Sequence, residues 1–524
     1  MKVKVHFLPA LALVASIAAG CQLQNRDTAS SEGRETSPEI EVEKIEDAGQ
    51  LNVIFILADD HRYDAMGFTG AIPGLETPNM DRMASEGVYI KNAFVSTALC
   101  SPSRASILTG QYAHTHTIVD NSAPMPEGLR FFPQYLQKAG YQTAFIGKWH
   151  MGNQDDEPQP GFDRWVSFKG QGQYYNPTLN VDGKQVKHSD STYMTDLLTE
   201  YAVNWLDSVD SEKPFFLYLS HKANHAEFYP AKRHAGTYTD LEIEYPPSMF
   251  LTATDSSTVE VPPGFQGPEG PVNKQDIPDW VREQRYSWHG VDYMYHGTIV
   301  FDDFYRRYLE TLLALDESVG RVMEFLTEKG LAENTVVIYM GDNGFGFGEH
   351  GLIDKRHMYE ESMRVPLLVW APGMQFQQHE LKEMVQNIDI GPTVLELAGV
   401  KTPSQMQGMS FAPLLRGENI PWRDKVYYEY YWEYAFPQTP TIFGVRTDRY
   451  KYIFNHGVWD INEFYDLQED PLEVNNLIRS NAHQDTIKSM VNSMWTWLEE
   501  TDGLQIPLKR IGHKKFDNRY KGTY

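Results

Sequence analysis

The stretch Leu51-Asn-Val-Ile-Phe-Ile-Leu-Ala58 is an almost unbroken apolar run that stops at Asp59-Asp60. A run of that length, rich in β-branched and aromatic residues, reads as a strand buried on both faces of a parallel sheet. Three later runs repeat the arrangement. Residues 141–147 end at Lys148-Trp149-His150, residues 214–220 at His221-Lys222-Ala223-Asn224-His225, and residues 335–340 at Gly341-Asp342-Asn343-Gly344. Helical patterns lie between them. The clearest is 301–329, where Phe301, Phe304, Tyr308, Leu312, Leu315, Val319, Val322 and Leu326 recur at threes and fours before Gly330. Strand–helix alternation of this kind predicts an α/β fold with a mostly parallel sheet covered on both faces. Ligands of such sheets bind beyond the carboxyl ends of the strands, where all four polar clusters fall.

From about 236 to 293 the chain is rich in Pro, Gly and acidic residues, and reads as an insertion over the sheet and a candidate substrate wall. From about Trp422 the pattern changes to short, aromatic, alternating stretches at 426–432, 441–446 and 450–454, followed by an amphipathic helix at 486–499. That predicts a smaller C-terminal subdomain, 422–524, built on an antiparallel sheet. No internal repeat is found.

The N-terminus has a basic start, an apolar run too short to span a bilayer, and Ala18-Ala19-Gly20-Cys21. This resembles a bacterial lipoprotein signal (1–20), with Cys21 as the lipid-bearing first residue of the mature protein. The box departs from the usual pattern in having Ala three residues before the cysteine. The competing reading is an ordinary secretory signal. Residues 21–49, rich in Ser, Thr and acids, are expected to form a flexible tether, leaving 50–421 as the main domain. The predicted location is the cell envelope, anchored to a membrane and most simply the outer one. Composition adds two exclusions. The net charge of −25 argues against nucleic acid as a partner, and any anionic substrate needs a locally positive pocket. With two cysteines in 524 residues and one spent at position 21, Cys100 has no partner for an internal disulfide.

Cys100 keeps polar company. Ser101-Pro102 suits a helix start, which places Cys100 where free N–H groups and the dipole attract anions, with Arg104 one turn further on. The block Cys100-Ser-Pro-Ser-Arg104, followed by Ala-Ser-Ile-Leu-Thr-Gly110, closely resembles the activating motif of type I sulfatases. The resemblance runs from Leu51 to about Leu477. It takes in Asp59-Asp60, Gly-Lys148-Trp-His150, the Ser-His-Lys-Ala-x-His block ending at His225, Gly-Asp342-Asn343-Gly, Asp-Lys355-Arg and the late Tyr-Asp-Leu-x-x-Asp-Pro. It implies the alkaline-phosphatase-like α/β sandwich, and it implies that a maturation enzyme oxidises Cys100 to formylglycine. By the same resemblance Asp59, Asp60, Asp342 and Asn343 bind Ca²⁺ together with residue 100. Four hard oxygen donors suit that ion rather than zinc.

The resemblance further implies that Arg104 stabilises the aldehyde hydrate, while Lys148 and Lys355 hold the sulfate oxygens. His225 with Lys355 protonates the leaving alcohol, and His150 takes the proton that releases sulfate by elimination. His221 is read as structural or as a support for a neighbouring site residue. His61, Arg62, His116, His357 and Arg364 stay open between sugar contact and packing. The substrate expected is a sulfated carbohydrate: N-acetylglucosamine-6-sulfate of glycosaminoglycans, or an algal polysaccharide such as ulvan or carrageenan. Two competing functions are a formylglycine-dependent phosphodiesterase or phosphonate monoester hydrolase, and a non-catalytic glycan-binding lipoprotein.

Overall fold

Every residue of the first strand, Asn52–Ala58, is buried, and its apolar side chains alternate between two faces. Val53, Phe55 and Leu57 enter one hydrophobic core, while Ile54, Ile56 and Ala58 enter a second on the opposite face. Each such side chain removed from water contributes about 1.5–3 kcal/mol, so a strand apolar on both sides has no stable place except between two helical layers. The computed structural model describes residues 40–505, save Asp47, Asn153, Gln154 and Val458. The lipoprotein signal, Cys21 and most of the expected tether lie outside the described residues.

The central sheet has ten strands, in the order Glu380–Leu381, Val88–Ile90, Leu367–Trp370, Thr335–Gly341, Asn52–Ala58, Phe215–Ser220, Gln142–Lys148, Arg164–Phe168, Thr178–Val181 and Lys184–Lys187. From Thr335–Gly341 to Arg164–Phe168 the neighbours run parallel, and antiparallel pairs flank them. Helices Met194–Ser208 and Phe301–Glu328 cover one face, and Cys100–Thr109, Phe132–Lys138 and Ile390–Leu397 cover the other. The long helix falls where its three-and-four spacing placed it.

The small antiparallel sheet runs Lys425–Tyr430, Thr441–Thr447, Tyr450–His456 and Glu463–Asp466. Val426, Tyr428 and Tyr430 pack into the main core. Phe443, Val445 and Phe464 meet Met490, Met494 and Trp497 of helix Gln484–Glu500. Of the 21–49 stretch, residues 43–45 are bonded to the body: Ile45 N–H donates to Gly399 O at 2.8 Å and Lys401 N–H to Glu43 O at 2.8 Å. In the 236–293 region the buried Arg285 pairs with Asp292 at 2.5 Å. Its end docks beside Lys355, with Ile353 N–H donating to His289 O at 2.7 Å and His289 Nε2 lying 2.8 Å from Asp354.

Candidate active site

Four adjacent parallel strands deliver the predicted clusters to one sheet edge. Asp59-Asp60 follow Asn52–Ala58, Asp342-Asn343 follow Thr335–Gly341, Lys148 closes Gln142–Lys148, and His221 to His225 follow Phe215–Ser220. Gly147 is required here: it has φ 126, and a Cβ would come 1.7 Å from Ser220 O. Asp60 (φ 49), His150 (φ 54) and Asp354 (φ 85) hold left-handed backbone that costs non-glycine residues roughly 1–3 kcal/mol each. Such conformations persist where surrounding structure imposes them, and here all three flank the residues gathered around one point.

That point is Cys100, the first residue of helix Cys100–Thr109 and fully buried. Its Sγ lies 3.5 Å from Asp59 Oδ1 and 3.4 Å from Lys355 Nζ. Burial, then the Asp59 carboxylate, push the thiol up to about 12, so the protein groups alone keep it protonated and a weak nucleophile. Lys148 pairs with Asp59 and Lys355 with Asp60. Asp60 N–H donates to Asp342 Oδ1 at 3.1 Å and Asn343 Nδ2 to Asp60 Oδ1 at 2.7 Å, so the four oxygen-bearing residues form one cluster.

The cluster fits a cation. Asp59, Asp60 and Cys100 offer ligand atoms within 4.8 Å of one another, and the buried Asp60 Oδ2 and Asn343 Oδ1 have no hydrogen-bond partner. Burial pushes Asp60 up to about 7, with Asp59 and Asp342 adding to the push against Lys355. A site that discourages its own carboxylates from ionising together becomes stable when a divalent ion supplies the missing charge.

Arg104 Nε donates to Asp342 Oδ2 at 2.9 Å, and its Nη1 donates to Lys148 O and Ser220 Oγ at 2.7 and 2.6 Å. Its guanidinium therefore steadies Asp342 and the strand end that carries Lys148, and Nη2 reaches within 3.8 Å of Asp59. His150 is buried and His225 half-buried; desolvation and then Lys148 hold each imidazole well below its ordinary value, and hence neutral. His225 Nδ1 donates to Ala226 O, which leaves its Nε2 unprotonated.

The open residues resolve one by one. His221 Nε2 meets Ser318 Oγ at 3.0 Å, as a structural histidine should. His61 is bound to Tyr339 OH and Ala65 O, His116 to Ser106 Oγ, Arg62 to Asp64 and Glu349, and Arg364 to Lys91 O over the Tyr63 ring. His357 is buried with neither ring nitrogen partnered. Sequence reasoning passed over three residues that the structure brings in. They are Ser220, which bridges Arg104 and Lys148, and Lys222 and Asn224, whose only signal was their place between the two histidines.

Clustered carboxylates able to hold a metal, buried ammoniums and neutral imidazoles at the edge of a parallel sheet suit a hydrolase of anionic esters, on the alkaline-phosphatase-like fold. Residues 51–400 match the family described as "Sulfatase", and residues 348–500 match "N-sulphoglucosamine sulphohydrolase, C-terminal". The chain belongs to the sulfatase family. It is 34% identical over 495 residues to an N-acetylglucosamine-6-O-sulfatase of Bacteroides thetaiotaomicron, covering 87% of each chain. It is 32% identical to the N-acetylglucosamine-6-sulfatase of Homo sapiens, over 74% of this chain and 69% of that one. A solved structure described as a complex with its substrate D-glucosamine-2-N,6-O-disulfate superposes with a TM-score of 0.76 at 31% identity, covering 88% of this chain and 100% of that one. The chain is accordingly a sulfatase.

Proposed function

We propose that the protein hydrolyses the 6-sulfate ester of N-acetylglucosamine or N-sulfoglucosamine units, with residue 100 acting as formylglycine and Asp59, Asp60, Asp342 and Asn343 holding Ca²⁺. The observation that carries the reading is the placing of position 100 between Asp59 and Lys355, in a chain alike along most of its length to 6-sulfatases. Calcium held by these residues would supply positive charge to the anionic ester and to the nucleophile at position 100. Formylglycine supplies, as its hydrate, a hydroxyl to attack sulfur and a second one whose deprotonation releases sulfate without an added water.

The chain's own groups do the rest. Lys148 and Lys355, held at the site by Asp59 and Asp60, would bind the sulfate oxygens once those carboxylates were engaged by a cation. Arg104 keeps Asp342 from swinging away and stabilises the hydrate. His150, neutral and fixed beside Ser101, accepts the proton of the second hydroxyl. His225 faces the leaving alcohol. Since it is held neutral with Nε2 unprotonated, it orients the leaving oxygen's proton as an acceptor, and the proton itself comes from Lys355, which Asp60 keeps protonated against the opposing effect of burial.

The test is sulfate release by protein produced with a formylglycine-generating enzyme. The sugars are N-acetylglucosamine 6-sulfate, glucosamine 2-N,6-O-disulfate, and ulvan and carrageenan oligosaccharides. Release from the 6-sulfated glucosamines is expected; release from the algal glycans alone, or faster cleavage of phosphodiesters, overturns the reading. The lipid anchor at Cys21 belongs to the same proposal, supported by the signal-like N-terminus. Wild type should partition into detergent and Cys21→Ser into water; no difference between the two refutes the anchor.

A further inference from the structure

Four lysines are buried among the described residues, and three of them have carboxylates. Lys148 pairs with Asp59, Lys355 with Asp60, and Lys451 with Glu360 and Glu473. Lys222 is 5% exposed and has no carboxylate within 4.0 Å. Its Nζ lies 4.5 Å from the centre of the Tyr174 ring, and among the described residues Asp59 and Asp60 act on its charge only from beyond ion-pair distance. An ammonium taken out of water without a counter-ion costs several kcal/mol, and a packing role would be served better by an apolar side chain.

Position adds to the anomaly. Asp59 N–H donates to Ala223 O at 2.8 Å, Asn224 N–H to Asp59 O at 2.6 Å, and His225 N–H to Lys222 O at 2.9 Å. The segment bearing Lys222 is thus fastened to the catalytic carboxylate itself. Asn224, fully buried on the same segment, leaves both its side-chain oxygen and its nitrogen without a partner. Tyr174, under the ammonium, donates its hydroxyl to His225 O at 2.7 Å, which places Lys222 on the side of the leaving sugar. Lys148 and Lys355 already serve the scissile group. The Tyr229 ring lies 6.1 Å from Tyr174, and Tyr229 borders an open cleft of about 430 Å³ that Lys232 and Arg307 also line. Arg306 lines the cleft as well, and Asp303 and Glu310 face these cations, so the cleft carries a small excess of positive charge in a chain of net charge −25.

We propose that Lys222 is a specificity residue that binds a second anionic group of the sugar substrate, a sulfate or carboxylate other than the ester being cleaved. The bound group completes the ion pair that the protein leaves open. The inference rests on the reading of the chain as a 6-sulfatase of amino sugars.

The experiment compares wild type, Lys222→Met and Lys222→Arg on glucosamine 2-N,6-O-disulfate and on N-acetylglucosamine 6-sulfate. A charged hydrogen bond of about 1.5–3 kcal/mol corresponds to a loss of roughly 10- to 150-fold. Lys222→Met should therefore lose about that much kcat/KM on the disulfate, chiefly through KM, and less than about threefold on the monosulfate. Lys222→Arg should recover most of it. Equal losses on the two sugars would assign Lys222 to the scissile ester or to the fold, and no loss on either would remove it from recognition; both overturn the proposal. A second arm measures binding of the same sugars by calorimetry in a Cys100→Ala background, with and without Lys222→Met. Should wild type cleave neither sugar, the failure lies with the 6-sulfatase reading. The binding arm still decides for Lys222, which must favour the doubly charged sugar by about tenfold.

Discussion

Replacing Arg104 by methionine keeps the length and bulk of the side chain and removes its charge. Arg104 is 1% exposed and holds Asp342 Oδ2 through Nε at 2.9 Å and Nη2 at 2.8 Å. Lys148 O keeps one donor in the variant, because Ser220 Oγ also reaches it at 2.8 Å. The main loss is thus the counter-ion of a fully buried carboxylate, and removing one member of a buried pair costs about 3–5 kcal/mol. At about 2.1 cal/mol/K per residue, unfolding a body of this size has an entropy on the order of 1 kcal/mol/K, so Tm should fall by about 3–5 °C. That figure applies in chelator. With millimolar calcium, the ion in the Asp59–Asp60–Asp342–Asn343 cluster compensates Asp342, and the deficit should shrink by about half or more while the calcium-induced rise in Tm grows. Scanning calorimetry of both proteins, with and without calcium, measures this. Equal deficits in the two conditions, or a deficit below about 1 °C in chelator, would refute the assignment of Arg104 as partner of a metal-binding carboxylate.

Other expected outcomes follow from the same geometry. Lys355→Ala should lower kcat/KM about 10²- to 10³-fold on sugar sulfates and clearly less on 4-nitrophenyl sulfate, as a donor to a poor leaving group requires; equal losses refute that role. His225→Asn should abolish turnover with Tm within about 1 °C of wild type. His221→Asn, which disturbs the bond to Ser318, should lower Tm by a few degrees and leave turnover within about tenfold, and the reverse pattern would exchange the two assignments. Glu429→Gln should destabilise the C-terminal sheet by about 3 kcal/mol near neutral pH, since it breaks the buried pair with His114 at 2.8 Å. Burial disfavours the charged His114, but Glu429 outweighs it and raises its pKa, so this stability is lost as pH rises through the folded value of His114. Urea unfolding from pH 6 to 9 should show the variant converging on wild type; a constant gap refutes the charge reading.

The strands that carry the site were legible because a strand buried on both faces has no polar positions, so its end is marked by the first charged residue. Asp59, Lys148, His221 and Asp342 each sit within a residue of a strand end for that reason. The shortest strands were not legible: Val88–Ile90 and Glu380–Leu381 are too short to show a period, and Glu463–Asp466 escaped for the same reason. Within the site, residue types announced the metal cluster, but partners did not show. The role of Arg104 as holder of Asp342 depends on a contact across 238 positions. The lone charge of Lys222 is a property of what packing left out, which a linear pattern cannot display. Likewise nothing in the acidic 40–49 stretch marks residues 43–45 as bonded to the loop at Gly399 to Lys401.

The helix that opens at Cys100 has all ten of its residues out of contact with solvent. Chemistry on that thiol therefore has a deadline. An enzyme that rebuilds the side chain needs an extended stretch of peptide in its own groove, and once the two helical layers have closed on the sheet no such stretch can be presented without unravelling the core. If residue 100 is matured as proposed, that modification must precede folding, and a chain that collapses first would keep its thiol.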